Sequence, residues 1–141
     1  MIQSIQQRFS MSKNKHEEKL FHLLQDIYFD NIDTAKADEA SEAMHNDVRW
    51  VHNQVWEHDA HKSNIRDAFN GRKEVREFLR KRIIEMQIEG IIHKVENVVS
   101  DGKLGAFKAN VIGTDKSKKP FFGLVELKDD KIIYYRVLPL E

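Results

Sequence analysis

The chain has 141 residues, of which 40% are hydrophobic and 33% charged, a composition that predicts one globular domain. Lysine and arginine number 23, aspartate and glutamate also number 23, and the formal net charge is zero. Because a neutral chain has no global field that attracts nucleic acid or an anionic membrane, we predict neither as a partner. Cysteine is absent, which excludes disulfides, thiolate metal sites and cysteine nucleophiles and fits a reducing compartment.

The first residues contain no apolar run of the length that a secretory signal needs, and no later segment is long enough to span a bilayer. The sequence therefore predicts a cytoplasmic protein. Residues 1–14 are polar and without a clear period, so we predict a flexible tail followed by a single domain over 15–141. Translation could start at Met1 or at Met11.

Two helices are predicted ahead of the first strand. Apolar residues recur at three- and four-residue spacing from Leu20 to Tyr28 and predict an amphipathic helix over 16–30. Asp33 is a candidate N-cap for a second helix, which carries small residues on one face and ends near His45.

A strand is predicted over 48–56, where β-branched and aromatic residues are dense. The two-residue period of a strand places four of its side chains on one face, namely Trp50, His52, Gln54 and Trp56. Residues 57–70 are predicted to form a loop, and the sequence leaves open whether this loop covers a pocket or lies in solvent.

Asn70-Gly71 precedes a third predicted helix, which has one apolar and one charged side. The apolar side holds Val75, Phe78, Leu79, Ile83 and Met86. Basic residues on the other side, Arg82 among them, alternate with glutamates, and we predict a solvent-exposed face with ion pairs along the helix.

The remainder of the chain predicts four strands, near 91–99, 103–112, 120–128 and 131–138. Short turn-forming segments such as Asp101-Gly102 separate them, so neighbouring strands are expected to be antiparallel.

This order of elements resembles the SnoaL-like branch of the nuclear transport factor 2 like superfamily over about residues 17–139. The segments that carry the resemblance are HNDVRWVHN, NGRKEVREFL, HKVENVVSDGKLGAF and LVELKDDKIIYYRV. The resemblance implies an α+β cone, in which three N-terminal helices pack on a strongly curved, mainly antiparallel sheet and enclose a hydrophobic pocket. The same scaffold carries isomerases, hydrolases, cyclases, dehydratases and binding modules, so it does not choose among these functions.

Aligned with the ketosteroid isomerase branch, His52 stands where that branch has its carboxylate base. Trp50 and Trp56 then turn inward with it. A histidine walled by aromatic rings is expected to have a lowered pKa, because burial disfavours its charged form, and to act as a neutral general base near pH 7. A histidine that only orients a ligand, or one that is satisfied within the core, are the alternatives.

The resemblance also points four side chains of the later strands inward, namely Phe121, Val125, Tyr135 and Val137. We predict that Trp50, Trp56, Phe121, Val125 and Val137 contact a ligand and that Tyr135 assists His52 by stabilising an oxyanion. Gly123 stands where the isomerase branch has a protonated aspartate. The oxyanion-hole tyrosine of that branch has no match here, and neither does the aspartate, arginine and aspartate set of the epoxide hydrolase branch.

We predict no metal and no cofactor. Four histidines lie close in sequence, His45, His52, His58 and His61, with His93 a further candidate ligand, but they are spread over a helix end, a strand and a loop and lack a zinc-site spacing. The glycines are too scattered to cradle the phosphates of NAD, FAD or ATP.

The predicted sheet has an inner and an outer face, and the outer face bears on assembly. The outer face is also apolar, with Phe122, Leu124, Ile132 and Tyr134, which predicts a homodimer through this face.

Three functions remain open: a cofactor-independent isomerase, dehydratase, cyclase or hydrolase that uses His52; a non-catalytic binder of a small hydrophobic or aromatic ligand; and a dimeric protein-interaction module.

Overall fold

A computed structural model describes residues 14–56 and 65–140, and it has the predicted α+β architecture. The helical segments are α1 (Lys15–Phe21), a π-helical stretch (His22–Phe29), α2 (Asp30–Asp33), α3 (Ala37–Ser41) and α4 (Arg72–Glu89). The strands are β1 (Met44–Asn53), β2 (Arg66–Asn70), β3 (Ile92–Ser100), β4 (Leu104–Ile112), β5 (Lys118–Lys128) and β6 (Lys131–Pro139).

The first predicted helix is confirmed and extends to Asp33 as α1, the π-helical stretch and α2 in succession. Asn14 caps it, because the Asn14 side chain accepts a hydrogen bond from the backbone N–H of Glu17 while the Glu17 carboxylate accepts one from the backbone N–H of Asn14. Asn14 therefore belongs to the domain, whereas the rest of the predicted tail, residues 1–13, lies outside the described residues.

The prediction that Asp33 caps the second helix is wrong. That helix, α3, begins at Ala37 after Lys36, which makes no capping hydrogen bond through its side chain. The Asp33 carboxylate instead accepts a hydrogen bond of 2.7 Å from the backbone N–H of His93 at the start of β3. Asp33 therefore binds a residue that is distant in sequence and not the start of the next helix. The α3 helix ends at Ser41, because β1 already begins at Met44.

Six strands form one curved sheet in the order β2-β1-β6-β5-β4-β3. The four predicted strands after α4 form the expected antiparallel meander, and β1 joins it by pairing in parallel with β6. Part of the predicted 57–70 loop is in fact β2, which pairs antiparallel with the end of β1. The segment Arg66–Asn70 shows no alternation of apolar residues. This short edge strand is held by its backbone pairing with β1, so its sequence does not need such a pattern.

The inner face of the sheet carries the core, and the predicted inward residues Phe121, Val125, Tyr135 and Val137 are all buried there. Ile132 is buried as well, which corrects its assignment to the outer face. A register irregularity between β5 and β6 lies between Glu126 and Leu127 and reverses the alternation of β6 on its far side.

Helix α4 covers part of the inner face with the apolar side that the sequence predicts, of which Val75, Leu79, Ile83 and Met86 are buried. It starts after Gly71 and ends at Gly90, where φ is +69° and the left-handed conformation favours glycine. Across the two described ranges, no helix is long and apolar enough to cross a membrane.

Candidate functional site

A cavity of about 50 Å³ lies between the helices and the inner sheet face, near the C-terminal end of β1. Its walls include all four residues of the predicted β1 face, Trp50, His52, Gln54 and Trp56, together with Val55. The volume is below the range of roughly 300–1,000 Å³ that is typical of sites for drug-sized ligands. Because the cavity is small, the indication that it binds a ligand comes mainly from polar groups in its wall that lack hydrogen bonds.

Stacked rings form one wall. Trp50 is fully buried, and its ring stacks on Tyr135 at 5.7 Å between centroids and on His52 at 5.2 Å. The Trp50 Nε1–H donates a hydrogen bond of 3.0 Å to the Tyr28 hydroxyl. These contacts fix the ring and leave no free donor on it, so Trp50 acts as a rigid wall.

His52 lies near the end of β1, and its buried Nδ1 atom has no hydrogen-bond partner within residues 14–56 and 65–140. The nearest carboxylate oxygen, Oδ2 of Asp67 on β2, is 3.8 Å from Nδ1, which is too long for a hydrogen bond. Burial lowers the pKa of His52, and the charges of Arg82 and His93 lower it further, whereas Asp67 opposes the shift. The predicted direction of the pKa shift is confirmed, and the imidazole is neutral at pH 7.

Two phenols at the cavity wall remain protonated. Burial raises the pKa of Tyr28, although its hydrogen bond with Trp50 counteracts the shift, and burial also raises the pKa of Tyr135 well above the usual value. Tyr28 comes from the π-helical stretch, and the apolar period of that helix does not mark it as a polar site residue. Both residues line the cavity, and the Tyr28 hydroxyl already accepts the Trp50 N–H.

A second histidine, His93, also lines the cavity and is held by Asp33. Its Nδ1 lies 2.7 Å from Asp33 Oδ1, both side chains are nearly buried, and the ring stacks on Phe29 at 5.0 Å. A carboxylate on Nδ1 favours the tautomer whose Nε2 is an acceptor. The sequence predicts His93 only as a further candidate metal ligand. The Asp33–His93 pair is not predictable from the sequence, because 60 residues separate its members.

Arg82 corrects the prediction of a wholly solvated charged face on α4. Its side chain is only 6% exposed and lines the cavity. Nη1 donates to Glu85 Oε2 at 2.9 Å, whereas the buried Nη2 makes no hydrogen bond to any residue that the structure describes. Gln54 Nε2 donates to the Trp56 carbonyl at 2.8 Å, but Gln54 Oε1 accepts no hydrogen bond from the described part of the chain.

Trp56 forms the rim of the cavity and is half-buried. The Lys119 ammonium lies 4.9 Å from the centre of its ring, and the ring edge covers Gly113 so closely that an added Cβ would be 2.5 Å from it. Residues 57–64 follow Trp56 and lie outside the described residues, so whether they cover the cavity stays a prediction.

The predicted ligand-contacting residues fall into two groups. Trp50, Trp56, Phe121 and Val137 line the cavity, as does Tyr135, whereas Val125 is buried beyond it beside Gly105. His52 and Tyr135 line the same cavity, and the Trp50 ring stacks on both of them. Their catalytic role stays a prediction.

Comparison with solved structures finds the same architecture in proteins of low sequence identity. An epoxide hydrolase of M. tuberculosis described as LEH-like is 15% identical, with a TM-score of 0.61 over 87% of this chain and 84% of that chain. The epoxide hydrolase/cyclase-like enzyme SalBIII of salinomycin pyran-ring formation is 15% identical, with a TM-score of 0.59 over 89% and 91%. An NTF2-like protein of unknown function from Cytophaga hutchinsonii is 9% identical, with a TM-score of 0.56 over 90% of both chains.

The chain has the nuclear transport factor 2 like fold. The predicted SnoaL-like cone is confirmed as a fold, and at these identities the similarity extends no further than the fold. No protein-family model matches the sequence, and a search of the curated proteins finds no match either.

Within this nuclear transport factor 2 like fold, the predicted departure at Gly123 has a physical explanation. An added Cβ at Gly123 would lie 2.3 Å from the ring of Phe107, which occupies the space above β5. The space next to Gly123 is therefore filled by a hydrocarbon ring.

The histidines that the structure describes in and near β1 and β3 do not surround a common point. Among the described residues, no group of three or more histidine, aspartate and glutamate side chains is placed to hold a metal ion. His45 lies near Asp129 at 3.5 Å, while His52 and His93 line the cavity. His58 and His61 lie outside the described residues.

Proposed function

We propose that this protein binds a small molecule in the cavity beside Trp50 and transforms it by general acid–base chemistry at His52, without a cofactor. The observation that carries the proposal is the buried, neutral His52 imidazole with its unpartnered Nδ1. An unsatisfied buried polar group costs about 1–3 kcal/mol, and such a cost is commonly retained where a ligand satisfies it.

The Asp33–His93 pair supplies the second proton-transfer group that such a reaction needs. With Nδ1 held by Asp33, the Nε2 atom of His93 is the ring nitrogen left to accept or return a proton. His52 and His93 line the same cavity, and the protonated phenols of Tyr28 and Tyr135 can stabilise negative charge on an oxygen. The supported reaction class is an isomerisation, dehydration, cyclisation or hydrolysis.

A cavity of about 50 Å³ holds a few heavy atoms, so a ring-sized ligand requires a side chain to move. Trp56 is the side chain that we expect to move, because it is only half-buried and its indole packs against Gly113, which has no side chain. We infer that Trp56 swings outward when the ligand enters.

The test uses the chain's two tryptophans, which both lie in the cavity wall, as reporters. Shifts of the two indole N–H signals in NMR spectra would identify ligands from a panel of small aromatic and carbonyl compounds, which are then assayed for turnover. We expect His52→Gln to lower turnover at least 100-fold while the dissociation constant changes less than tenfold. His45→Gln, on the same strand but outside the cavity, is the matched control.

The same measurement separates the alternatives. Equal loss of affinity and turnover in His52→Gln, or binding without turnover in the wild type, would favour a non-catalytic binder of a small hydrophobic ligand. A panel that moves neither indole signal would contradict the proposal and favour a protein-interaction module.

We also propose a homodimer through the outer sheet face. Val99, Ala106 and Leu124 lie in register across β3, β4 and β5, and Val99 and Leu124 are at least half exposed. Adjacent exposed apolar residues on a sheet are typical of an interface. Leu124→Lys should convert a dimer to a monomer in analytical ultracentrifugation, whereas Ile88→Lys on the exposed side of α4 should not. A monomeric wild-type protein at micromolar concentration would contradict the dimer.

The proposed location is the cytoplasm. It is supported by the absence of cysteine, which fits a compartment where thiols are kept reduced. Fractionation of cells that express the tagged full-length chain tests it.

A further inference from the structure

Two buried polar atoms of α4 face each other without a hydrogen bond. Arg82 Nη2 and Glu89 Oε2 are 3.9 Å apart, and neither has a hydrogen-bond partner among the described residues. Both residues belong to α4, and Arg82 lines the cavity. Because buried polar groups are nearly always satisfied in folded proteins, an unpaired donor beside an unpaired acceptor indicates a place for another polar atom.

The geometry of the gap restricts the atom that can fill it. A distance of 3.9 Å is too long for a direct hydrogen bond, but one oxygen atom about 2.8 Å from each side fits between the two. This oxygen must accept from the Arg82 N–H and donate to the Glu89 carboxylate. A hydroxyl group does both, whereas a carbonyl or an ether oxygen only accepts.

Charge at the gap argues against an anionic ligand. Glu85 already pairs with Arg82 at 2.9 Å, and Glu89 lies on the other side of the guanidinium. A ligand carboxylate would add a third negative charge to one positive charge in a largely buried site. Gln54 Oε1 is a further acceptor without a donor, which again favours a ligand that brings O–H groups.

The cavity that Arg82 lines has aromatic walls. Trp50 and Phe78 lie 5.3 Å apart between centroids, and Trp56 closes the rim. We propose that Arg82 and Glu89 together bind the hydroxyl group of an uncharged phenol-type ligand, whose ring lies against these aromatic walls. This inference rests on the proposed function, since it assigns the ligand class to the same cavity.

The experiment compares phenol with toluene, which has a methyl group in place of the hydroxyl. Both are titrated into the full chain while the Trp50 and Trp56 indole signals are followed by NMR. Toluene is the more hydrophobic probe, so a cavity without a hydroxyl site would bind toluene at least as tightly. We expect phenol to bind about tenfold more tightly than toluene, since two hydrogen bonds to charged groups are gained.

Glu89→Met removes the acceptor and should abolish the preference for phenol. The matched control is Glu85→Met, which makes the same chemical change at the more exposed partner of Arg82 and should retain the preference. If Glu89→Met does not fold, the double variant Arg82→Met with Glu89→Met removes both charges together and replaces it.

The outcomes separate this inference from the proposed function. Equal affinity for phenol and toluene, or a phenol preference that survives loss of Glu89, would show that water alone fills the gap and would overturn the hydroxyl site while the cavity remains a ligand site. If neither probe moves an indole signal at millimolar concentration, the ring-binding cavity fails, and the hydroxyl site fails with it.

Discussion

Around Gly123 the inner sheet face is filled with hydrocarbon, whereas around His52 it is lined with polar groups that lack partners. At the first place the Phe107 ring occupies the space above Gly123, and Leu20 and Val125 do the same above Gly105. This region, which we call the packed end, is built as protein interiors usually are, with close contacts between apolar side chains.

The cavity end differs in both packing and polarity. Among the described residues, three of the four that have buried side-chain atoms without a hydrogen bond line this cavity: His52, Gln54 and Arg82. Each such group lowers stability, so the cavity end loses free energy that the packed end retains. Gly123 and His52 are both in register with Val137 of β6, so closely packed hydrocarbon and unsatisfied polar groups lie only two strands apart on the same sheet face.

The largest expected effect is at the packed end. Phe107→Ala should lower the free energy of unfolding by about 3–5 kcal/mol, because it leaves a ring-sized void beside Gly123 and Phe121. Chemical denaturation measures the change. Phe122→Ala, on the half-exposed outer face, is the control and should cost clearly less. Equal losses in the two variants would contradict the assignment of this region as the packed end.

Alanine at each of two glycines tests whether the packed end is more rigid than the rim of the cavity. Gly123→Ala pushes a Cβ against the enclosed Phe107 ring and should cost about 1–3 kcal/mol, as overpacking does. Gly113→Ala pushes a Cβ against Trp56, which can swing outward, and should cost less than about 1 kcal/mol. Thermal denaturation of both variants measures the difference. A reversed order would show that the rim, and not the packed end, is the more rigid region.

Replacing the buried histidine should stabilise the cavity end. His52→Leu removes an unsatisfied polar atom and adds apolar contacts with Trp50, so the free energy of unfolding at pH 7 should rise by about 1 kcal/mol. Any turnover should be lost in the same variant. Urea denaturation tests the first expectation, and a variant less stable than the wild type would indicate that His52 is satisfied within the core.

The pH dependence is the smallest effect. Burial lowers the pKa of His52 in the folded state, so between that pKa and the unfolded value of about 6.5 the unfolded chain binds the additional proton. Stability is therefore lost as the pH falls through this window. From pH 7 to pH 6 this histidine should contribute a loss of at most about 0.7 kcal/mol.

The measurement for this effect is urea denaturation at pH 7 and at pH 6, with His52→Gln compared with the wild type. The variant should lose less stability than the wild type on going to pH 6. An identical pH dependence in the two proteins would contradict a lowered pKa.

Much of the fold was predictable, because local patterns encode it. The periods of the first helix, of α4 and of the meander strands are all confirmed, and so is the burial of Tyr135 and Val137. The strand β2 escaped prediction because its burial is slight and its pairing with β1 leaves no trace in residue spacing. Ile132 was placed on the wrong face because an irregular register cannot be read from a single strand.

The candidate site was predicted only in part. The alternation along β1 put Trp50 and His52 on one face, and the structure confirms that both line the cavity. Arg82 lies among charged neighbours on α4, so its spacing predicts exposure, although the side chain is buried and lines the cavity. The local chain predicts a helix cap at Asp33, because its partner His93 is 60 residues away.

Local patterns in the chain specify the composition class, most of the elements and the aromatic face that carries His52, because burial of apolar side chains imposes helical and strand periods. Which polar groups meet at the cavity depends on the packing of distant elements. The Asp33–His93 pair and the facing atoms of Arg82 and Glu89 depend on how helices and strands approach one another in space. Distances of this kind arise from packing between elements, and no period in the chain records them.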